Sequence, residues 1–187
     1  MSRLGDIKDR VLERTVVAIR LYTPDAMRLP HDFVDVARSM GSTSIDPEHV
    51  LLAILGRPHL RAAQLLVAAG VSRAAIERAL EERDRSSLSG LGLSFDAIRT
   101  RVEASAGTSG PTMGPGCPES MTCNEEVVQM LRGADRHATR LRHWTRRPEH
   151  LLLALLTERG RGYRLLLGLD VDVESVIRAL RAELAKG

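Results

Sequence analysis

The residues of this chain best suited to chemistry come in duplicate. Pro47-Glu48-His49 and Pro148-Glu149-His150 lie 101 residues apart, each ahead of an apolar run, Val50 to Leu55 and Leu151 to Leu156. A carboxylate in the first turn of a helix has two uses. It complements the positive end of the helix dipole, worth about 0.3–1 kcal/mol, or it receives the fork of a guanidinium. An imidazole at the next position, just before leucines, reads as a buried, hydrogen-bonded structural group. The most basic stretch, Arg136, His137, Arg140, Arg142, His143, Arg146 and Arg147, runs directly into the second motif. It offers attraction to phosphate, and its plainer reading is a solvated helix end. Cys117 and Cys123 are the only cysteines. Five residues separate them, outside the usual gap of about two to four in a zinc pair, so no metal or other cofactor is expected. No Ser/His/Asp order or paired-carboxylate cleft stands out, so no enzymatic activity is expected.

These motifs need elements to hold them, and the elements repeat as well. Phe33, Val36, Ala37 and Met40 precede the first motif, and Val127, Met130, Leu131, Ala134 and Ala138 precede the second, both at helical spacing. Ala62 to Leu66 and then a helix from Arg73 to Arg83 follow the first. Tyr163 to Leu167 and then a helix from Val173 to Lys186 follow the second. Each repeat thus reads as four helices. Thr23-Pro24, Asp46-Pro47 and Arg147-Pro148 place proline at a first helical position, where its missing N–H costs nothing. Thr23, Asp46, Ser72, Ser94, Asn124 and Asp172 are candidate caps. Pro30 falls inside the first helix of repeat one and is expected to kink or split it.

The remaining chain divides by composition. Residues 1–21 carry an amphipathic pattern with Leu4, Ile7, Val11, Leu12, Val16 and Ile19 on one side. Such a stripe is expected to pack onto the repeats, with partner binding as the alternative. Residues 93–105 read as one more helix, and the Gly/Pro-rich residues 106–121 as a flexible linker. Repeat one therefore spans 22–105 and repeat two 122–187.

Composition agrees with an all-α chain. Aromatics are 3% of the residues, which argues against sheet-rich folds and against proteins that stack bases on aromatic platforms. Neither apolar run approaches the roughly 20 residues of a membrane-spanning helix. The N-terminus is charged throughout and unlike a signal peptide. The expectation is a cytoplasmic protein with no membrane partner and no nucleic-acid motif.

Two four-helix repeats with Glu-His-(Val/Leu)-Leu-Leu-Ala-(Ile/Leu)-Leu at the second helix resemble the Clp N-terminal (Clp R) domain, found at the front of ClpC, ClpA and ClpB unfoldases. Tyr22-Thr23-Pro24-Asp25-Ala26 is similar to that family's start of helix one. Leu91-Gly92-Leu93-Ser94-Phe95-Asp96-Ala97-Ile98-Arg99 is similar to its repeat-closing segment. The resemblance covers roughly residues 22–186 and implies two pseudo-symmetric four-helix repeats, with an N-terminal helix and an extra inter-repeat helix added. No Gly-x-x-x-x-Gly-Lys-(Ser/Thr) phosphate loop occurs. The chain is expected to be a stand-alone N-domain protein, of the kind found in actinobacteria, without ATPase modules.

The resemblance also implies a function. Such domains receive substrates and adaptors for an unfoldase, and in the ClpC branch they bind phosphorylated arginine. Carried over by position, Glu48 would face the guanidinium and Thr23 the phosphate in repeat one. Glu149 and Asn124 are the counterparts in repeat two, with asparagine where threonine is typical and Thr122 two residues earlier. Arg142, Arg146 and Arg147 are candidates to attract phosphate. The expected partners are a Clp-type AAA+ unfoldase, its substrates or adaptors, phosphoarginine-marked proteins, or small molecules that target Clp N-domains. The role would be adaptor, competitor or decoy. The alternatives are a regulatory or structural protein that kept the fold without the peptide site and, less favoured, a nucleic-acid binder using the arginine cluster.

Overall fold

The computed structural model describes residues 22–90, 94–95 and 121–186. The expected helix at 1–21, most of the expected helix at 93–105, and the linker at 106–120 lie outside the described residues. Eight helices and two short strands make up the rest.

The first helix, α1 (Pro24–Ser39), starts where Pro24 allows it, and the Ala26 N–H donates to Thr23 Oγ1 at 3.3 Å. Ala26, Leu29, Phe33 and Ala37 form its buried stripe. The helix runs unbroken through Pro30, so the expected split does not occur. Pro30 lies on the exposed face, where water can take the carbonyl its missing N–H leaves free. Leu29 and Phe33, on either side of it, are held in the core.

A strand pair then joins the repeats. β1 (Ser44–Ile45) runs parallel to β2 (Thr122–Cys123), with Ser44 opposite Thr122 and Ile45 opposite Cys123. Sequence periodicity gave no sign of these two-residue strands. They are too short to show alternation.

The motif helices α2 (Pro47–Leu55) and α6 (Pro148–Thr157) are buried on nearly every side. A helix that is apolar all round belongs in a core, and Leu51, Leu52, Ile54, Leu151, Leu152, Leu153, Leu155 and Leu156 are among its largest fully buried members. Each such side chain contributes roughly 1.5–3 kcal/mol by leaving water. The other helices cover this pair. They are α3 (Arg61–Ala68) and α4 (Arg73–Gly90) in repeat one, then α5 (Glu125–Arg140), α7 (Arg161–Leu167) and α8 (Val173–Leu184) in repeat two. Gly133 lets α5 lie against α6, for a Cβ there would stand 3.0 Å from the Ala154 Cβ.

The longest helix departs from expectation. α4 continues to Gly90, past the expected end at Arg83. Its buried residues stop at Leu80, which is where the apolar pattern fades. Beyond that point good helix formers carry it on, with an Arg85–Glu82 ion pair at 2.9 Å and Ser87 Oγ donating to the Arg83 carbonyl at 2.9 Å.

The repeats match in detail. Both first helices end in the same turn: Gly41 N–H donates to the Arg38 carbonyl and Ser42 N–H to that of Ala37, as Arg142 and His143 do to Thr139 and Ala138. Gly41 sits at φ 69° and Arg142 at φ 56°. Gly70 and Asp170 form a second such couple after α3 and α7, at φ 86° and 57°.

Candidate functional site

The N-cap residues and motif carboxylates come together across the repeats, not within them. Asn124 N–H donates to the Ile45 carbonyl at 2.9 Å, and Thr23 N–H donates to the Arg146 carbonyl at 2.9 Å. Each repeat thus sets the start of its first helix beside the strand that leads into the other repeat's motif. The expected couples, Thr23 with Glu48 and Asn124 with Glu149, are therefore exchanged. Asn124 joins the cluster around Glu48, and Thr23 adjoins the segment running to Glu149. The cause is the parallel bridging of Ile45 with Cys123 and of Tyr22 with Arg146.

Around Glu48 the cluster is polar and dense. Asn124 caps α5 by accepting the Glu126 N–H at 2.9 Å, and its Nδ2 donates to Asp46 Oδ1 at 2.9 Å. Arg161, from the first turn of α7, donates to Asp46 Oδ1 at 3.0 Å and to Glu48 Oε1 at 2.8 Å. Arg83 of α4 donates to the same Glu48 oxygen at 3.1 Å. The Glu48 side chain is only 6% exposed while both arginines are about half exposed. A carboxylate buried that far requires paired charge, and the two guanidinium groups supply it from the rim. A cavity of about 190 Å³ opens here, lined by Met40, Ser42, Leu80, Asp84 and the charged groups just named.

Glu149 does different work. Its Oε1 accepts the Ala62 N–H at 3.2 Å, inside the protein and 87 residues away in sequence. It is a cap for α3 supplied by the opposite repeat. The amides at the start of α7 go instead to Glu126, from Arg161 N–H at 2.7 Å and Gly162 N–H at 3.0 Å. The motif carboxylates are thus one ion-paired group beside a cavity and one helix cap.

Both histidines are buried and hydrogen-bonded, and His49 also lines the Glu48 cavity. His49 Nδ1 accepts the Asp46 N–H at 2.9 Å, and His150 Nδ1 accepts the Arg147 N–H at 2.9 Å. His150 is fully buried. Its Nε2 lies 2.9 Å from His143 Nδ1, so the neutral ring carries its proton on Nε2 and donates it there. Burial, then the neighbouring His143 and Arg147, lowers the His150 pKa to about 4. Burial also lowers that of His49, opposed by Glu48 and Asp46.

The arginine candidates separate. Arg146 turns inward to pair with Asp135 of α5 and lies over the Tyr22 ring at 5.2 Å. Tyr22 OH reaches the same Asp135 carboxylate at 3.5 Å. Burial, then the Asp135 charge, raises the Tyr22 pKa. This triad fastens the start of repeat one to repeat two. Arg147 is half-buried at the N-cap of α6. Arg142 is exposed.

Arg83, Arg161, Asp46 and Glu126 were not marked as functional by the sequence. Asp46 had a visible signal as a helix cap. The arginines had none, because their partner is 35 and 113 residues away. Among the described residues, no cluster of three His, Cys, Asp or Glu could hold a metal ion, and no helix is long and apolar enough to cross a membrane. Cys117 lies outside the described residues, and Cys123 is exposed.

Residues 121–187 match the family described as Clp repeat (R) N-terminal domain. Solved structures similar to the chain include the N-terminal domain of the caseinolytic protease associated chaperone ClpD from Arabidopsis thaliana. It is 16% identical, with TM-score 0.60 over 89% of this chain and 95% of that one. The Hsp104 N-terminal domain from Candida albicans is 15% identical, with TM-score 0.59 over 86% and 89%. At these identities the likeness is one of fold. No curated protein matches the sequence.

Proposed function

From a chain that carries a Clp repeat over residues 121–187 and folds as Clp N-terminal domains do, we propose a non-catalytic protein-binding module. It recognises substrates, adaptors or degradation marks and acts in the cytoplasm as adaptor, competitor or decoy for a Clp-type ATPase. The observation that carries this reading is the Glu48 cavity, where carboxylates and guanidinium groups stand together at the surface. Its volume suits one side chain, being below the roughly 300–1,000 Å³ of ordinary small-molecule sites. Phosphoarginine presents both signs of charge. Its guanidinium would be received by Asp46 and Glu48, and its phosphoryl group by Arg83 and Arg161. Binding exchanges existing ion pairs for new ones, so no carboxylate is left buried and unpaired.

Glu149 favours a second statement within this reading: repeat two is scaffold at its motif, because its carboxylate already serves the Ala62 amide. Calorimetric titration of phosphoarginine into the protein and its Glu48→Gln and Glu149→Gln variants tests both. Saturable heat that survives Glu149→Gln and disappears in a folded Glu48→Gln variant is the expected result. A folded wild type that takes up none would leave the alternative, a fold kept for structure or regulation. Co-purification then separates the roles: an adaptor brings down a Clp ATPase, and a decoy does not.

A further inference from the structure

Trp144 is the only tryptophan of the chain, and it is 87% exposed. It sits in the loop 141–147 between α5 and α6. The equivalent loop of repeat one, residues 40–46, reads Met-Gly-Ser-Thr-Ser-Ile-Asp, where repeat two has Leu-Arg-His-Trp-Thr-Arg-Arg. The two loops open with the same turn and the same pair of backbone hydrogen bonds. Repeat two has therefore kept the turn and changed what it displays.

The change runs against stability at Arg142. That residue occupies the left-handed region at φ 56°, where repeat one places Gly41. A residue with a Cβ adopts this conformation at a cost, and an observed outlier of this kind points to a retained use. Arg142 and Arg140 are exposed, and neither has an ion-pair partner among the described residues. Asp135, in the helix that leads into the loop, is taken by Arg146 and Tyr22. Leu141, three residues before Trp144 in the chain, is 39% exposed.

We propose that Trp144, Leu141, Arg140 and Arg142 form a docking surface for an acidic protein segment, one in which carboxylates flank an apolar side chain. An indole of this kind brings a large area of contact and loses few rotamers when buried, and tryptophan and arginine are the residues that most often dominate protein interfaces. Two exposed guanidinium groups within four residues of it in the chain, without an ion-pair partner among the described residues, fix the sign of the partner. Nucleic acid fits less well, since a protein that binds it through phosphates commonly makes about 6–10 such contacts and the four residues named here supply two cations. A second copy of the chain fits less well too, because a two-fold contact would set the arginines of each copy against those of the other. The surface does not use Glu48, so it stands or falls apart from the reading above.

Trp144 is its own probe. Its emission is expected at long wavelength in the free protein. It should shift to the blue, saturably, when a short peptide of leucines flanked by glutamates is added, and the affinity should fall as salt rises. A fluorescein-labelled form of the peptide, followed by anisotropy, allows the variants to be measured. Trp144→Ala should weaken binding by about thirtyfold or more, as for an interface anchor. Arg142→Gly should weaken it several-fold while the protein unfolds at the same or a higher temperature, which separates loss of binding from loss of fold. Glu48→Gln should leave the affinity unchanged. The proposal is overturned if the acidic peptide causes no shift, if its glutamine counterpart binds equally well, or if single-stranded DNA binds more tightly. Emission that is already blue and moves with protein concentration would show a second copy on the surface and would also overturn it.

Discussion

Lowering the pH from 7 to 5 should destabilise the protein through His150. The ring is fully buried, and its Nδ1 accepts the Arg147 N–H. Protonation puts a hydrogen on Nδ1, where it faces that N–H, so the bond must break and a charge must be held without water. The folded pKa of about 4 compares with about 6.5 in an unfolded chain. A group depressed in this way contributes stability that is fully present above the unfolded value and is lost as pH falls toward the folded one. Between pH 6.5 and 4 the unfolded state binds the proton and the folded state does not. The separation is worth about 3 kcal/mol in full, and about 2 kcal/mol is already lost at pH 5. For a chain of this size that lowers the melting temperature by roughly 4–8 °C. His49, shifted the same way, adds to the slope. The assay is urea unfolding followed by circular dichroism at a series of pH values, in wild type and in His150→Gln. Glutamine keeps an acceptor for the Arg147 N–H and cannot titrate. The variant starts less stable at pH 7 and should lose about 2 kcal/mol less on reaching pH 5. Equal losses in the two proteins would refute the reasoning.

Other perturbations follow from the crossed contacts. Glu149→Ala removes the acceptor of a buried amide and should cost about 2 kcal/mol; in hydrogen exchange the loss of protection should centre on Ala62 and the first turn of α3, not on repeat two. Gly160→Ala places a Cβ 2.3 Å from the Glu126 carboxyl carbon. It should displace that cap from Arg161 and Gly162 and lower the urea midpoint by as much as Glu126→Ala does, with little further loss when the two are combined. Gly133→Leu forces α5 off α6 where a Cβ already meets Ala154 at 3.0 Å, and a loss of more than about 2 kcal/mol is expected from overpacking. Asp170→Gly relieves a left-handed residue at φ 57° and should be neutral or raise the melting temperature by a degree or two, about 0.5 kcal/mol.

What the sequence made legible was local. Proline at the first position of three helices, the caps at Thr23, Asn124, Ser72 and Asp172, and the two buried motif helices all depend on near neighbours, and all appear in the structure. The errors arose where tertiary context outweighs a local rule. Pro30 is tolerated because it faces water between two buried anchors. α4 runs on because charge pairs succeed the apolar stripe. The candidate site was the least legible part. Glu48 could be picked out, but not the Arg161 and Arg83 that hold it. Glu149 looked like its twin and proved to be a cap for a helix 87 residues earlier. Two copies of a motif announce a pseudo-symmetric fold. They do not reveal that the second copy caps a helix of the first repeat.

That last arrangement bears on how the chain is made. Ala62 waits for Glu149, and Glu48 waits for Arg161, 113 residues later. At about 5–20 residues per second of synthesis, the first repeat exists for several seconds or more with a helix end uncapped and with Arg83 as the one guanidinium on Glu48. The Ala62 amide is capped only when Glu149 arrives. The half that emerges first is therefore exposed to capture by chaperones or proteases until the second half arrives. By the same logic, two fragments cut within residues 96–120 and mixed together should restore the whole, since each carries what the other lacks.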